Sequence, residues 1–328
     1  MRRRELTAAI GLSALWPMAA AAQSRTPAKP KRIGVLWHAG NAEEEHEYQE
    51  ILVKAFNDLG YVEGKNITFL HKYPAEQAER YTILARELVD SNVDLLIAIT
   101  QDGAIALKQA TSSIPIVFVI VNDPLGLGLI TSLARPGGNA TGLSLFVNDF
   151  SGKRLDLLRQ AVPGLSRVAL LINPKEGGAA RAIKATNASA EAMGVSVTTI
   201  EVGSPDAIEP AFDRITREKF DAGIAGGSML FNARAKVGAL ALAHKLPIIT
   251  VVSEMVPYGL LMSYGQDFPE YFRKAATYSA KLLAGAHPAD LPVEQPTRLK
   301  FVINLKAARA LGLSLPASLL ISADETID

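Results

Sequence analysis

From Arg32 onward the chain alternates short β-branched apolar runs with longer stretches whose apolar positions recur every three or four residues. Ile33-Gly34-Val35-Leu36-Trp37 predicts a buried strand, and Glu44 to Leu59 predicts an amphipathic helix with Ile51, Leu52, Ala55, Phe56 and Leu59 on one face. Three further strands are expected at Asn66 to Tyr73, Val93 to Thr100 and Ile114 to Val121, with helices at Ala75 to Val89 and Asp102 to Ala110 between them. Apolar strands separated by helices imply a parallel sheet covered on both faces.

A second series begins near Ser151. Helices are expected at 152–161, 179–193, 205–217 and 232–244, and strands at 168–173, 195–202, 222–226 and 247–251. Leu260 to Gly265 reads as another strand, and Phe268 to Leu283 as an amphipathic helix. Ala286 to Thr297, with Pro288, Pro292 and Pro296, reads as a crossing linker before a strand at Leu299 to Ile303 and a helix at Leu305 to Leu311. The expected architecture is α/β: two doubly wound, Rossmann-like lobes with parallel sheets, joined by a three-strand hinge. Residues 32–145 with 266–292 are assigned to the first lobe, and 146–265 with 293–328 to the second.

Ahead of this pattern, Arg2, Arg3 and Arg4 precede an apolar Ala-rich run from Ala8 to Ala22, ending on small residues before Gln23. That order is a charged region, an apolar region and a cleavage site, and it predicts an export signal over residues 1–22. The run is shorter than a membrane span and is broken by Pro17. Arg3-Arg4-Glu5-Leu6 is similar to a twin-arginine motif, so Sec and Tat routes both stay open. Residues 23–31 read as an extended linker.

Charge then changes the picture of partners. The 328 residues carry 34 Lys and Arg against 33 Asp and Glu, a net charge of +1, and losing three Arg and one Glu with the signal leaves −1. Such a chain has no basic field for a polyanion, which argues against nucleic acid as a partner. With no Cys there is no disulfide, thiolate nucleophile or Cys-zinc site.

Catalytic and nucleotide motifs are missing. Gly126-x-Gly128 has Thr131 where a dinucleotide fingerprint needs its third Gly. Ser151-Gly152-Lys153-Arg154 lacks the flanking residues of a P-loop, and no nucleophile elbow surrounds Ser144 or Ser228. The five His residues show no paired ligand spacing, so no metal or cofactor is expected. Glu43-Glu44-Glu45 reads as a favourable charge arrangement at a helix start.

In open parallel sheets, ligands bind beyond the carboxyl ends of the strands. That rule selects Trp37, His38, Thr100, Gln101, Asn122 and Asp123 from the first lobe, and Gly227, Ser228, Ser253 and Tyr264 from the second. Asp123 has a second reading as a turn cap. Trp37, Phe146, Tyr258 and Tyr264 are candidates for the wall of an aromatic ligand site, core packing being the other reading of each.

Several segments carry a resemblance. Arg32-Ile33-Gly34-Val35-Leu36, Ile114-Pro115-Ile116-Val117-Phe118 running to Asn122-Asp123-Pro124, and Leu133-Ala134-Arg135-Pro136-Gly137-Gly138-Asn139 to Ser144 are similar to the ABC transporter substrate-binding family that includes tryptophan- and tyrosine-binding proteins. Leu261-Met262-Ser263-Tyr264-Gly265, Ala289 to Thr297 and Phe301 to Leu313 resemble the same family. The likeness spans nearly all of residues 32–328. It implies a type I periplasmic binding protein: two lobes closing on a small ligand that is delivered to a membrane permease. One departure stands out: where family members often show Ser-Asp-Pro-Leu-Phe, this chain has Gly227-Ser228-Met229-Leu230-Phe231, without the acid and the Pro.

The resulting expectation is an exported, monomeric, non-enzymatic solute receptor of the periplasm, taking an amino acid or aromatic acid. For an amino acid, Asp123 would meet the ammonium group and amides near Thr100 or Ser228 the carboxylate. Two competing readings are an exported α/β hydrolase using His38 and Asp123, and a periplasmic sensory module with the same fold.

Overall fold

The computed structural model describes residues 29–145, 150–176 and 178–328; the expected export signal and Phe146 lie outside the described residues. The first sheet has the order β2-β1-β3-β4-β5, built from Lys31–Leu36 (β1), Ile67–Lys72 (β2), Leu95–Ile99 (β3), Ile116–Val121 (β4) and Ala140–Ser144 (β5). All its pairings are parallel. Helices α1 (His46–Asp58), α2 (Ala78–Asp90) and α3 (Thr100–Ala110) connect the first four strands. β3 is buried along its whole length, as a central strand covered on both faces must be.

The second sheet contains β6 (Arg167–Ile172), β7 (Ser196–Glu201), β8 (Ala222–Ala225), β9 (Ile248–Thr250), β10 (Met262–Gln266), β11 (Leu299–Asn304) and β12 (Glu325–Ile327), in the order β12-β11-β10-β9-β8-β6-β7. Its pairings are parallel except that β11 runs antiparallel to β10. Around it lie α4 (Ser151–Ala161), α5 (Ala179–Met193), α6 (Ile208–Arg217), α7 (Ser228–Asn232) and α8 (Arg234–Ala243). The short C-terminal helices α10 (Leu305–Ala310) and α11 (Ala317–Ile321) complete this lobe, α9 being the helix between β10 and β11.

That helix, α9 (Phe268–Leu283), leaves the second sheet and packs on α1, β3, β4 and β5 of the first. The chain then runs beside β5, where Glu294 bridges Leu143, before re-entering the second sheet at β11. It therefore passes between the lobes after β5, after β10 and before β11.

Packing explains two departures from the periodicity. The helix expected from Ala75 starts at Ala78, because Ala75 and Glu76 take left-handed backbone angles (φ 55° and 59°) that hold Glu76 outside the helix. Glu45, read as part of a favourable charge arrangement at a helix start, is 1% exposed and turns instead under the first strand's end, where its Oε1 accepts from the His38 and Ala39 amides. A column of rings joins the lobes: Trp37 stacks on Phe272 (6.0 Å), Phe272 on Tyr48 (4.5 Å), and Tyr48 across the gap on Phe231 (5.3 Å).

Candidate functional site

A cavity of about 210 Å³ lies between the lobes. Its lining comes from positions just beyond strand ends: His38 after β1, Thr100 and Gln101 after β3, Asn122 after β4, Leu145 after β5, Glu176 after β6, Gly227 and Ser228 after β8, and Val251 and Val252 after β9. Strand ends leave backbone groups unpaired and side chains aimed outward, which is why ligand sites collect there. Two lining residues hold strained backbone, Thr100 (φ 70°) and Ile120 (φ 61°). Ile120 falls where the β4–β5 register shifts between Phe118 and Val121. A β-branched residue in the left-handed region is costly, and such strain collects at functional sites.

His38 organises the polar wall. It is 5% exposed, with Nε2 3.3 Å from Glu45 Oε1 and Nδ1 3.0 Å from Glu76 Oε1. Both ring nitrogens face carboxylates, so the imidazolium is the stable form. Burial alone would lower its pKa, but Glu45 and Glu76 outweigh it and raise it to about 9. Glu45 Oε1 also accepts from the Ala39 amide at 3.0 Å, which fixes the carboxylate under the strand end.

Glu176, in the second lobe, reaches a helix start of the same lobe. Its Oε2 accepts from the Ser228 amide (2.9 Å) and its Oε1 from the Met229 amide (3.0 Å), capping α7. Gly227 makes this possible: a Cβ there would stand 2.3 Å from Glu176 Oε2. Burial raises the Glu176 pKa, with the two amide bonds partly offsetting it. Asp102 is raised too, by burial and then by Glu76. No Lys or Arg lines the cavity among the described residues. Glu76, Asp102 and Glu176 around a single imidazolium leave an excess of negative charge, which suits a ligand cation. Tyr48, Tyr81, Phe231 and Phe268 supply an aromatic wall.

Of the residues expected from sequence, His38, Thr100, Gln101, Asn122, Gly227 and Ser228 line this cavity. Trp37 does not: it is wholly buried in the first lobe, donating its indole N–H to His71 Nδ1 at 3.0 Å. Asp123 is exposed, lies outside this lining and accepts from the Gly126 amide at 2.9 Å, which is the turn-cap reading of that residue. Ser253 is buried with its hydroxyl on Glu254, and Tyr264 packs edge-on to Phe150 and Phe301. Tyr258 sits at the lobe gap with its hydroxyl on Glu47. The Ser228 amide, expected to receive a ligand carboxylate, is taken by Glu176. The sequence reading missed Glu76, Asp102 and Glu176, although each falls within a few residues of a strand end, where the same rule applies.

Cross-lobe contacts close the cavity. Arg234 Nη1 donates to the Glu44 carbonyl (3.2 Å), Tyr258 Oη donates to Glu47 Oε1 (3.1 Å) and Asn232 Nδ2 donates to Glu76 Oε1 (3.4 Å).

Comparison with known proteins agrees with this architecture. A family profile described as ABC transporter substrate binding protein matches residues 43–327. A tyrosine-binding protein of Clostridioides difficile (strain R20291) is 25% identical over 261 residues, covering 80% of this chain and 75% of that protein. Among solved structures, a conserved domain protein of Vibrio cholerae superposes with a TM-score of 0.81 at 28% identity, covering 91% of this chain and 100% of its own. An ABC domain from Streptococcus pneumoniae in complex with L-Trp gives 0.80 at 26% identity, with the same coverage, 91% and 100%. The two-lobed fold is that of the type I periplasmic binding proteins, and the chain belongs to the ABC transporter substrate-binding protein family.

Proposed function

We propose that this protein is an exported receptor that captures an amino acid with an aromatic side chain between its lobes and presents it to a membrane permease. The observation that carries the reading is the cavity wall. Glu76, Asp102 and Glu176 line it beside the protonated His38 with no lining Lys or Arg among the described residues, next to Tyr48, Tyr81 and Phe231. Carboxylates desolvated by burial gain most from a ligand ammonium, because that cation relieves the cost that raises their pKa values. The rings offer apolar area for an aromatic side chain. Tyrosine and tryptophan recognition in relatives supports the same choice.

Capture works through closure. A ligand touching both lobes lowers the free energy of the closed form only, and the closed form is what a permease would distinguish from the open one. The competing reading as a hydrolase asks His38 to act as a general base. With both nitrogens turned to carboxylates it holds its proton through neutral pH, so it is unsuited to that task.

Delivery of the ligand to an importer also places the protein outside the cytoplasmic membrane, consistent with the charged and apolar pattern of residues 1–22.

The test is a thermal-shift screen followed by calorimetry with Tyr, Trp, their N-acetyl forms, aromatic 2-oxo acids and sugars. A ligand at a hundred times its Kd stabilises by about 2.7 kcal/mol, raising Tm by roughly 4 °C in a chain of this length. Tyr or Trp should do so at micromolar Kd, and N-acetylation should abolish it. Stabilisation by the oxo acids in preference to the amino acids would overturn the ammonium assignment, and consumption of a compound without tight binding would overturn the receptor reading.

A further inference from the structure

One carboxylate of the second lobe faces the first lobe and has no part in the ligand site. Glu254 stands in the short 3-10 turn Ser253–Tyr258 that follows β9. Its Oε2 accepts from the Ser253 hydroxyl at 3.1 Å, while its Oε1 is buried with no hydrogen-bond partner among the described residues. An ionised carboxylate oxygen buried without a donor carries its full desolvation cost.

Across the gap from this turn lies α1 of the first lobe. Glu254 and Glu47 line one groove there, Tyr258 of the same turn donates to Glu47 Oε1 at 3.1 Å, and the Tyr48 hydroxyl faces Glu254. Further along that groove His46 is paired with Glu50, and Lys54 with Asp58. In the second lobe, β9 and β10 pack on the turn without a charged side chain. The cations nearby are already engaged: Lys300 of β11 with Glu325 at 2.8 Å, Lys236 of α8 with Glu209 at 3.0 Å, and Arg234 of α8 between the Phe231 and Tyr258 rings. Burial pushes the Glu254 carboxyl above its usual range; its own amide and the Ser253 hydroxyl offset part of this, and the Glu47 charge adds to it. The Tyr48 hydroxyl, itself held well above its usual range by burial, stays neutral and can accept a hydrogen bond.

We propose that closing the lobes takes up a proton at Glu254, so that the receptor holds its ligand more tightly in acid than in alkaline surroundings. This rests on the closure described above and not on which amino acid is bound. With the lobes apart, water solvates the carboxylate. With the lobes together, an ionised Glu254 leaves Oε1 without a donor and faces the Glu47 charge. A proton from solvent removes that charge and turns the orphan acceptor into a donor, with Tyr48 Oη and the Glu47 carboxylate in the same gap to receive it; the proton returns to solvent on opening. The sign follows from linkage: the proton's help to closure is full below the open-form pKa and is lost as pH rises through the closed-form pKa.

The experiment compares wild type with Glu254→Gln, whose amide reproduces the shape and the donor of the protonated acid. Calorimetry with Trp as the probe, across about pH 5 to 8 and in buffers of different ionisation enthalpy, gives Kd and the protons taken up on binding. His38, Asp102 and Glu176 are present in both proteins, so the difference between the two isolates Glu254. The two should bind Trp alike at the acid end. At the alkaline end Glu254→Gln should bind roughly five- to a hundredfold more tightly, the range for relieving a buried unpaired group, and between the two ends wild type should take up more protons than the variant. Glu47→Gln, which keeps an acceptor for Tyr258, should move the wild-type transition to lower pH. Circular dichroism and Tm establish that each variant folds; should Glu254→Gln not fold, an unmoved transition in Glu47→Gln overturns the proposal. Equal Kd at the alkaline end, or equal proton uptake, overturns the proton step and leaves the receptor standing. If Trp binds neither protein, the amino-acid reading fails and small-angle scattering decides the proton step: free Glu254→Gln should be more compact than wild type at the alkaline end, and equal radii of gyration overturn it.

Discussion

Arg234 is predicted to latch the closed form, and its replacement tests whether closure limits binding. Its side chain is 9% exposed, sandwiched by the rings of Phe231 (4.7 Å) and Tyr258 (5.3 Å), and it donates to the carbonyls of Glu44 (3.2 Å) and Phe231 (3.3 Å). The sandwich and the Phe231 bond lie within the second lobe, so they stabilise that lobe in the open and closed forms alike. Only the bond to Glu44 and the weaker attraction to Glu47, 3.9 Å away and partly exposed, cross the gap. A hydrogen bond from a charged donor contributes about 1.5–3 kcal/mol, and a part-exposed ion pair about 0–1 kcal/mol. Arg234→Ala should therefore reduce the closed-to-open ratio by roughly tenfold to several hundredfold. Where the free protein is mostly open, that factor appears in Kd; where it is mostly closed, it first appears as expansion of the free protein. Small-angle scattering with and without ligand, beside calorimetry, reads both. Arg234→Lys keeps the charge and the stem but loses the planar group held between the Phe231 and Tyr258 rings, so it should fall between wild type and Ala. If Arg234→Ala lowers Tm yet changes neither the free radius of gyration nor Kd by twofold, the residue supports its own lobe and the latch reasoning fails.

Three other outcomes follow from the geometry. The His38 pKa is raised from 6.5 to about 9, so the stability it contributes is full below pH 6.5 and is lost as pH rises through 9; the urea midpoint of wild type should fall across that window, and that of His38→Gln should be flat there. Glu176→Ala leaves the Ser228 and Met229 amides without their acceptor and should cost about 1–3 kcal/mol, with the ammonium ligand weakened in calorimetry; Glu176→Gln, which retains one acceptor, should recover part of the stability and little of the affinity. Gly142 has φ 145°, and a Cβ there would lie 2.1 Å from the Phe118 carbonyl oxygen, so Gly142→Ala should destabilise by at least about 4 kcal/mol in chemical denaturation, steric overlap with backbone being one of the few mechanisms that reach that size.

The alternation of strand and helix was legible because its cause is local. An apolar strand such as Leu95–Ile99 and an amphipathic helix such as Phe268–Leu283 bury their faces whichever partner they meet. Short elements were not legible: β12, with only Ile327 even partly buried, is a strand because β11 offers an edge, and the five residues of α7 are helical because Glu176 caps them from another loop. Strand-end position found His38, Thr100 and Asn122, since the rule needs only the strand. It failed for Trp37, whose side chain lies on the inward face of the first sheet against Phe272, and for Asp123, whose carboxylate closes its own turn.

The missing acid at Ser228 shows why a motif and a site diverge. Read along the chain, Gly227-Ser228-Met229 has lost the carboxylate expected near the helix start. In space, Glu176 brings one from the loop after β6, and Gly227 leaves the room for it. The helix start is thereby neutralised before any ligand arrives. That end of the cleft therefore presents a carboxylate, and not free amides, to whatever enters. Moving the acid from the helix's own strand end to Glu176 thus keeps a carboxylate at this end of the cleft, which is what the proposed ammonium site requires.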